Sequence, residues 1–95
     1  MARTNFERLR VYQLSERLSD QILNIVLGWN NLSRDTVGKQ VIRSADSIGA
    51  NIAEASGRWH EADKRRLLVI ARGSLYDTEH WLLRARAEPA SVEDG

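Results

Sequence analysis

The sequence predicts an all-α protein, an antiparallel up-and-down bundle of three helices, and three observations carry that prediction. First, Val37, Val41, Ala45, Ile48 and Ile52 recur at three- and four-residue steps, which places them on one stripe of a helix at about 100° per residue. Second, segments with the same period lie on either side, over residues 6–27 and 61–87. Third, the intervals between them hold turn formers, Gly28, Asn30 and Asn31 in one and Gly57 in the other.

In helix one, expected from Phe6 to Leu27, Val11, Leu14, Leu18, Ile22 and Ile25 form the apolar stripe, and Asn5 is placed to cap the start. Ser33 and Asp35 suit the start of helix two, because hydroxyl and carboxylate oxygens accept from its free N-terminal amides. Helix two runs to Ser56, where Gly57 is expected as a left-handed stop, a conformation that is strained once a Cβ is present. Helix three runs from Glu61 to Ala87, ahead of Pro89. Its main seam is read as Leu67, Ala71, Ser74, Leu75, Thr78, Leu82 and Ala85. Val69, Tyr76 and Leu83 repeat every seven residues on the opposite side, so the helix needs two neighbours. Gly73 and Ser74 in mid-helix are read as a close approach by another helix, since an interior glycine otherwise costs about 1 kcal/mol. Residues 1–87 are one domain, and residues 88–95 are read as a disordered acidic tail.

A chain of 95 residues buries only about 60–65% of its unfolded surface, so its core is marginal. It has no cysteine and no long apolar run, which excludes a disulfide framework, a thiolate metal site and a membrane span, and points to the cytoplasm. All 14 basic residues and 10 of the 13 acidic ones fall within residues 1–86, so the body carries +4 against an acidic tail. That is a mild excess, below the density of a dedicated nucleic-acid binder.

Beside the stripe of helix two runs a polar ladder, Gln40, Ser44, Ser47, Asn51 and Glu54. Buried carboxylates and amides need partners, so these groups are expected to satisfy one another, Arg58 or polar groups of helix three; the functional alternative is that Asn51 and Glu54 hold a ligand in a groove. Ser74, Asp77 and His80 advance by threes along helix three, but Ser74 turns to the seam and His80 away from it, so they do not make a nucleophile and its base. A metal-dependent enzyme would need further carboxylates beside Asp77 and His80, and no catalytic residue, cofactor or metal is assigned. Arg58, Trp59, Lys64, Arg65, Arg66 and Arg72 gather at the turn into helix three, where bases and one aromatic suit phosphate neutralisation and base stacking. A purely structural or protein-binding oligomer that uses Val69, Tyr76 and Leu83 as its contact is the alternative.

Several of these residues resemble a known family in type and spacing. Phe6, Leu9, Val11, Tyr12 and Gln13 resemble its opening pattern. Gln40, Arg43, Ala45, Ser47, Ile48, Asn51, Ile52, Ala53 and Glu54, with Gly57 and Arg58 in register, resemble its central signature. Ile70, Ala71, Gly73, Ser74 and Leu75 resemble its third-helix signature. The family is the small four-helix-bundle proteins encoded in intervening sequences of bacterial large-subunit ribosomal RNA genes. The resemblance implies a left-handed antiparallel bundle, homo-oligomers with pentamers as the known form, and no established enzymatic activity. It also implies a distant similarity to the accessory proteins of diversity-generating retroelements, which bind a reverse transcriptase and nucleic acid. This chain departs from the pattern in Ala55, His60 and Asp63, and its fourth helix is expected to be missing after Ala87.

Overall fold

The computed structural model describes residues 6–87, and the predicted cap at Asn5 and the acidic tail 88–95 lie outside them. Three helices pack antiparallel in sequence order, and no strand forms among the described residues. Helix α1 is Arg10–Leu27, α2 is Lys39–Ser56 and α3 is Glu61–Ala85. Helix α2 stands at the centre with α1 and α3 both packed on it, and α3 makes the longer contact. The first and third helices therefore run in the same direction.

The start of α1 differs from the expected continuous helix. Leu9 is extended, and it separates a 3-10 turn, Phe6–Arg8, from α1. Phe6 folds back edge-on against Tyr12, with ring centroids 5.0 Å apart, which fastens that turn to the helix. Burial, and then the Glu16 and Glu7 carboxylates, push the Tyr12 phenol above its ordinary value.

The lead into α2 begins earlier than Ser33. Asn30 is the cap, and its side-chain oxygen accepts from the Ser33 N–H at 2.8 Å. One α turn, Asn31–Ser33, and one π turn, Arg34–Gly38, then feed α2 without a break. The π turn brings Gly38 against α1, where a Cβ would stand 2.7 Å from Val26 Cγ1 and 3.2 Å from the Ser33 carbonyl oxygen. At the other end, Gly57 is right-handed, with φ −93°, so the left-handed stop is not formed. The last turn instead tightens, with Gly57 and Arg58 N–H groups donating to the Glu54 and Ala55 carbonyls at 3.1 Å, and an extended His60 turns the chain into α3.

All five residues of the predicted α2 stripe are buried, with Val41 and Ala45 fully sealed. Ile22, Val26, Val41 and Ala45 form one cluster, flanked by Leu18, Trp29, Ile42 and Trp81. Ile48, Ile52 and Ala71 form a second, against Tyr12 and Leu18. On each outer helix part of the predicted seam is buried and part is exposed. On α1 the face turned to α2 is Ser15, Ile22 and Val26, while Val11, Leu14 and Ile25 are exposed. On α3 it is Leu67, Ala71, Ser74 and Thr78, while Leu75 and Leu82 are exposed. Close packing of small residues decides both cases. At the α1 crossing, a Cβ on Gly49 would lie 2.9 Å from Ser15 Oγ, so the backbones approach there in a way that leucine on the same face would prevent. Gly73 does not play that part, because it is exposed and a Cβ on it would meet nothing within 4 Å.

Candidate interaction surfaces

The polar ladder becomes a hydroxyl seam between α2 and α3. Ser47 Oγ and Ser74 Oγ are 2.8 Å apart, and the buried Thr78 hydroxyl proton is shared between the Ser74 carbonyl oxygen (2.8 Å) and Ser44 Oγ (2.9 Å). Asn51 donates to the Ser47 carbonyl at 2.8 Å and to Ser47 Oγ at 3.1 Å, which leaves the Ser47 proton available to Ser74. Glu54 is paired with Arg58 on the exposed last turn of α2. Thus Ser44, Ser47, Asn51 and Glu54 find partners inside the chain, whereas Gln40 is exposed.

Outside that seam lies a small polar cleft of 170 Å³, lined by Gln40, Arg43, Ser47, Ser74, Asp77 and Trp81. Four of these residues, Gln40, Arg43, Ser47 and Ser74, belong to the signature read from the sequence. Asp77 and Trp81 join them because each lies on the same side of α3 as Ser74, three and seven residues on. Their role as walls of this cleft was not anticipated. Gly57 and Gly73 stand apart from it, both exposed.

No catalytic geometry forms around Ser74. It is 8% exposed and bonded to Ser47, whereas Asp77 and His80 are exposed, and His80 instead stacks edge-on with Trp81 at 4.9 Å. Among the described residues, no group of three or more His, Asp or Glu side chains is placed to hold a metal ion. Likewise, no helix among them is long and apolar enough to cross a membrane.

The basic residues fall on more than one side of the turn and of α3. Arg58 is held by Glu54, and Lys64 lies 3.9 Å from Glu61. Arg65 and Arg72, seven residues apart, share one line on α3 beside Leu68 and Val69, while Arg66 is turned about 100° away. Trp59, in the turn, is 78% exposed. Lys64, Arg65 and Arg72, together with Glu61, Leu68 and Val69, line one cleft of 370 Å³ that runs from the start of α3 to its middle.

Exposed apolar side chains gather on another side of the bundle. Between α1 and α3 run two grooves, one of 270 Å³ reached by Leu9, Val11, Ile52 and Leu68, the other of 280 Å³ by Leu18, Leu75, Tyr76 and Leu82. Val11 and Leu18 are seven residues apart, and so are Leu68 and Leu75, so the two grooves are successive parts of one trough between parallel helices. Its rim continues onto the outward side of α3, where Val69, Tyr76 and Leu83 are 49%, 59% and 54% exposed. The sequence identified that outer stripe; it assigned Leu75 and Leu82 to the core and did not single out Leu68, and the structure turns all three into the trough.

A central helix with two flanking partners, a sealed hydroxyl seam and a long open apolar face define a small helical-bundle protein. The chain belongs to the 23S rRNA-intervening sequence protein family, whose model matches residues 7–91. A comparison with curated proteins gave no match.

Proposed function

We propose that this protein is a non-enzymatic, self-associating helical-bundle module that acts by binding. The observation that carries this reading is the apolar face of α3 and its trough. Leu68, Leu75 and Leu82 with Val69, Tyr76 and Leu83 put two heptad-spaced stripes in water on one helix. Contiguous apolar surface of that extent marks a contact, and a small domain with a thin core gains stability from a partner subunit. A second copy covers this face, in keeping with the homo-oligomers that the family resemblance implies, pentamers among them. Light scattering on the eluting protein is expected to give a multiple of the 10.8 kDa chain mass at micromolar concentration. Tyr76→Glu is expected to dissociate it and lower its melting temperature. A single-chain mass, together with a cooperative melt independent of concentration, overturns this reading.

A second reading is contact with nucleic acid at the turn into α3, favoured by the exposure of Trp59 among Arg58, Arg65 and Arg66. Stacking on an exposed indole tolerates any base, and the bases supply phosphate neutralisation. Anisotropy of a labelled single-stranded RNA across a salt series tests it. Changing Lys64, Arg65 and Arg66 to Gln should weaken binding and flatten the salt slope, and unchanged binding removes the turn from consideration.

A further inference from the structure

The polar cleft between α2 and α3 holds an acid and a base on facing walls that are not bonded to each other. The two helices run antiparallel, and the Ser47–Ser74 and Ser44–Thr78 hydrogen bonds fix their register. Continued by one and two turns, that register brings Arg43 level with Asp77 and Gln40 level with Trp81. All four line the cleft, and the Ser47–Ser74 pair lies beneath them. Arg43 and Asp77 are exposed, and among the described residues neither side chain has an ion-pair partner. Trp81 is half-buried, packed against the upper core cluster and edge-on to His80, so an aromatic wall is in place before any ligand arrives. Asp77 is about 160° around α3 from Leu75, so the cleft takes nothing from the apolar trough.

A ligand seated here must offer donors to the Asp77 carboxylate and acceptors to the Arg43 guanidinium, from one flat body that can lie along an indole. A lone carboxylate satisfies Arg43 but meets Asp77 with like charge, and a lone ammonium or guanidinium does the reverse. Guanine meets every demand. Its N1–H and exocyclic N2–H groups point the same way and donate to both oxygens of one carboxylate, while O6 and N7 on the neighbouring edge accept from the guanidinium fork. Adenine would turn its unprotonated N1 toward a carboxylate, and a pyrimidine offers that carboxylate a single donor group. At 170 Å³ the cleft has room for one ring system and not for a whole nucleotide. Lys39 and Arg84 stand farther out on the same flanks of the two helices, both exposed and neither ion-paired among the described residues. The same register sets them about level with each other, on the rim where the sugar and phosphate of a seated base emerge.

We infer that this cleft binds the guanine base of a nucleotide. Asp77 accepts from N1–H and N2–H, Arg43 donates to O6 and N7, Trp81 stacks on the ring, and Lys39 and Arg84 meet the phosphate. A free nucleotide and an unpaired position of a single strand present the same chemistry. The site is separate from the apolar face and from the turn into α3, so it stands or falls independently of both readings proposed above.

Calorimetric titration of the full chain at low salt with GMP, IMP and AMP tests it. GMP is expected to bind, IMP, which lacks the N2 amino group, about tenfold more weakly, and AMP about tenfold or more. Asp77→Asn should weaken GMP about tenfold and narrow the gap between GMP and IMP, because an amide presents a donor where guanine needs an acceptor. Arg43→Gln should weaken GMP as well, whereas Lys64, Arg65 and Arg66 changed to Gln should leave it unaltered. Both cleft positions are exposed, and circular dichroism verifies that the helices persist. A labelled oligouridylate with one guanosine, set against oligouridylate alone, distinguishes the source. Preference for the guanosine strand with weaker or no binding of GMP assigns an unpaired strand, and equal affinities assign the free nucleotide. The inference is overturned if GMP does not saturate and the two strands bind alike, or if AMP equals GMP. It is also overturned if Asp77→Asn and Arg43→Gln both bind GMP as the unaltered protein does.

Discussion

Ser47 Oγ and Ser74 Oγ, 27 residues apart in the chain, lie 2.8 Å from each other and join α2 to α3 at the middle of their contact. One turn along, Thr78 repeats the arrangement with Ser44, and at 2% exposure it is among the most buried side chains of the protein. Hydroxyls in these places let the two helices approach more closely than leucines would, and each finds its partner across the seam or in its own preceding turn.

Replacing Thr78 with Val keeps its volume and removes the hydroxyl. The Ser44 oxygen then loses its donor across the seam, and the expected cost is about 1 kcal/mol in urea unfolding. Ser44→Ala combined with Thr78→Val should cost less than the two single changes added together, because no polar group is left facing an apolar one. Additive values would mean that the hydroxyls do not interact.

The glycines should separate sharply. Gly73 is exposed in mid-helix with nothing within 4 Å of a Cβ, so Gly73→Ala is expected to stabilise the fold by about 1 kcal/mol. Gly38→Ala forces a methyl against Val26 Cγ1 at 2.7 Å and the Ser33 carbonyl at 3.2 Å, and should destabilise it by about 1–3 kcal/mol. Thermal melts of the two variants measure the contrast, and a destabilised Gly73→Ala would place a neighbouring helix over that residue.

Ser19 carries the one buried side-chain oxygen among the described residues that lacks a hydrogen-bond partner. Ser19→Ala removes that unmet group and puts the best helix former in its place, so a gain of about 1 kcal/mol is expected from the chemical-denaturation midpoint. A loss would reveal a partner for the hydroxyl, such as a bridging water.

Ile52 closes the lower core cluster at 4% exposure and also borders the groove between α1 and α3. Ile52→Ala should cost about 2–5 kcal/mol, a large share of the stability of so small a domain. The lower end of that range is expected, because the adjoining groove allows neighbours or water to fill the space. A shift of the urea midpoint too small to resolve would contradict the burial of this residue.

Helix two was legible in the sequence because it is covered on two sides. Val37, Val41, Ala45, Ile48 and Ile52 have no competing stripe, so periodicity alone identified the core. The polar ladder was legible for a related reason, since side chains beside a buried stripe must find partners. The family was legible too, from residue types at fixed spacing, and the match over residues 7–91 agrees. What periodicity left undetermined was the rotation of α1 and α3. The predicted seam of α3 included Ala71, Ser74 and Thr78, which pack on α2, but also Leu75 and Leu82, which are exposed; on α1 it passed over Ser15, whose small side chain allows the close approach to Gly49. Three helices, their order and the central core follow from residue spacing alone. Which leucines of the outer helices stay in water depends on shape across contacts between residues far apart in the chain, and that is visible only once the helices are packed.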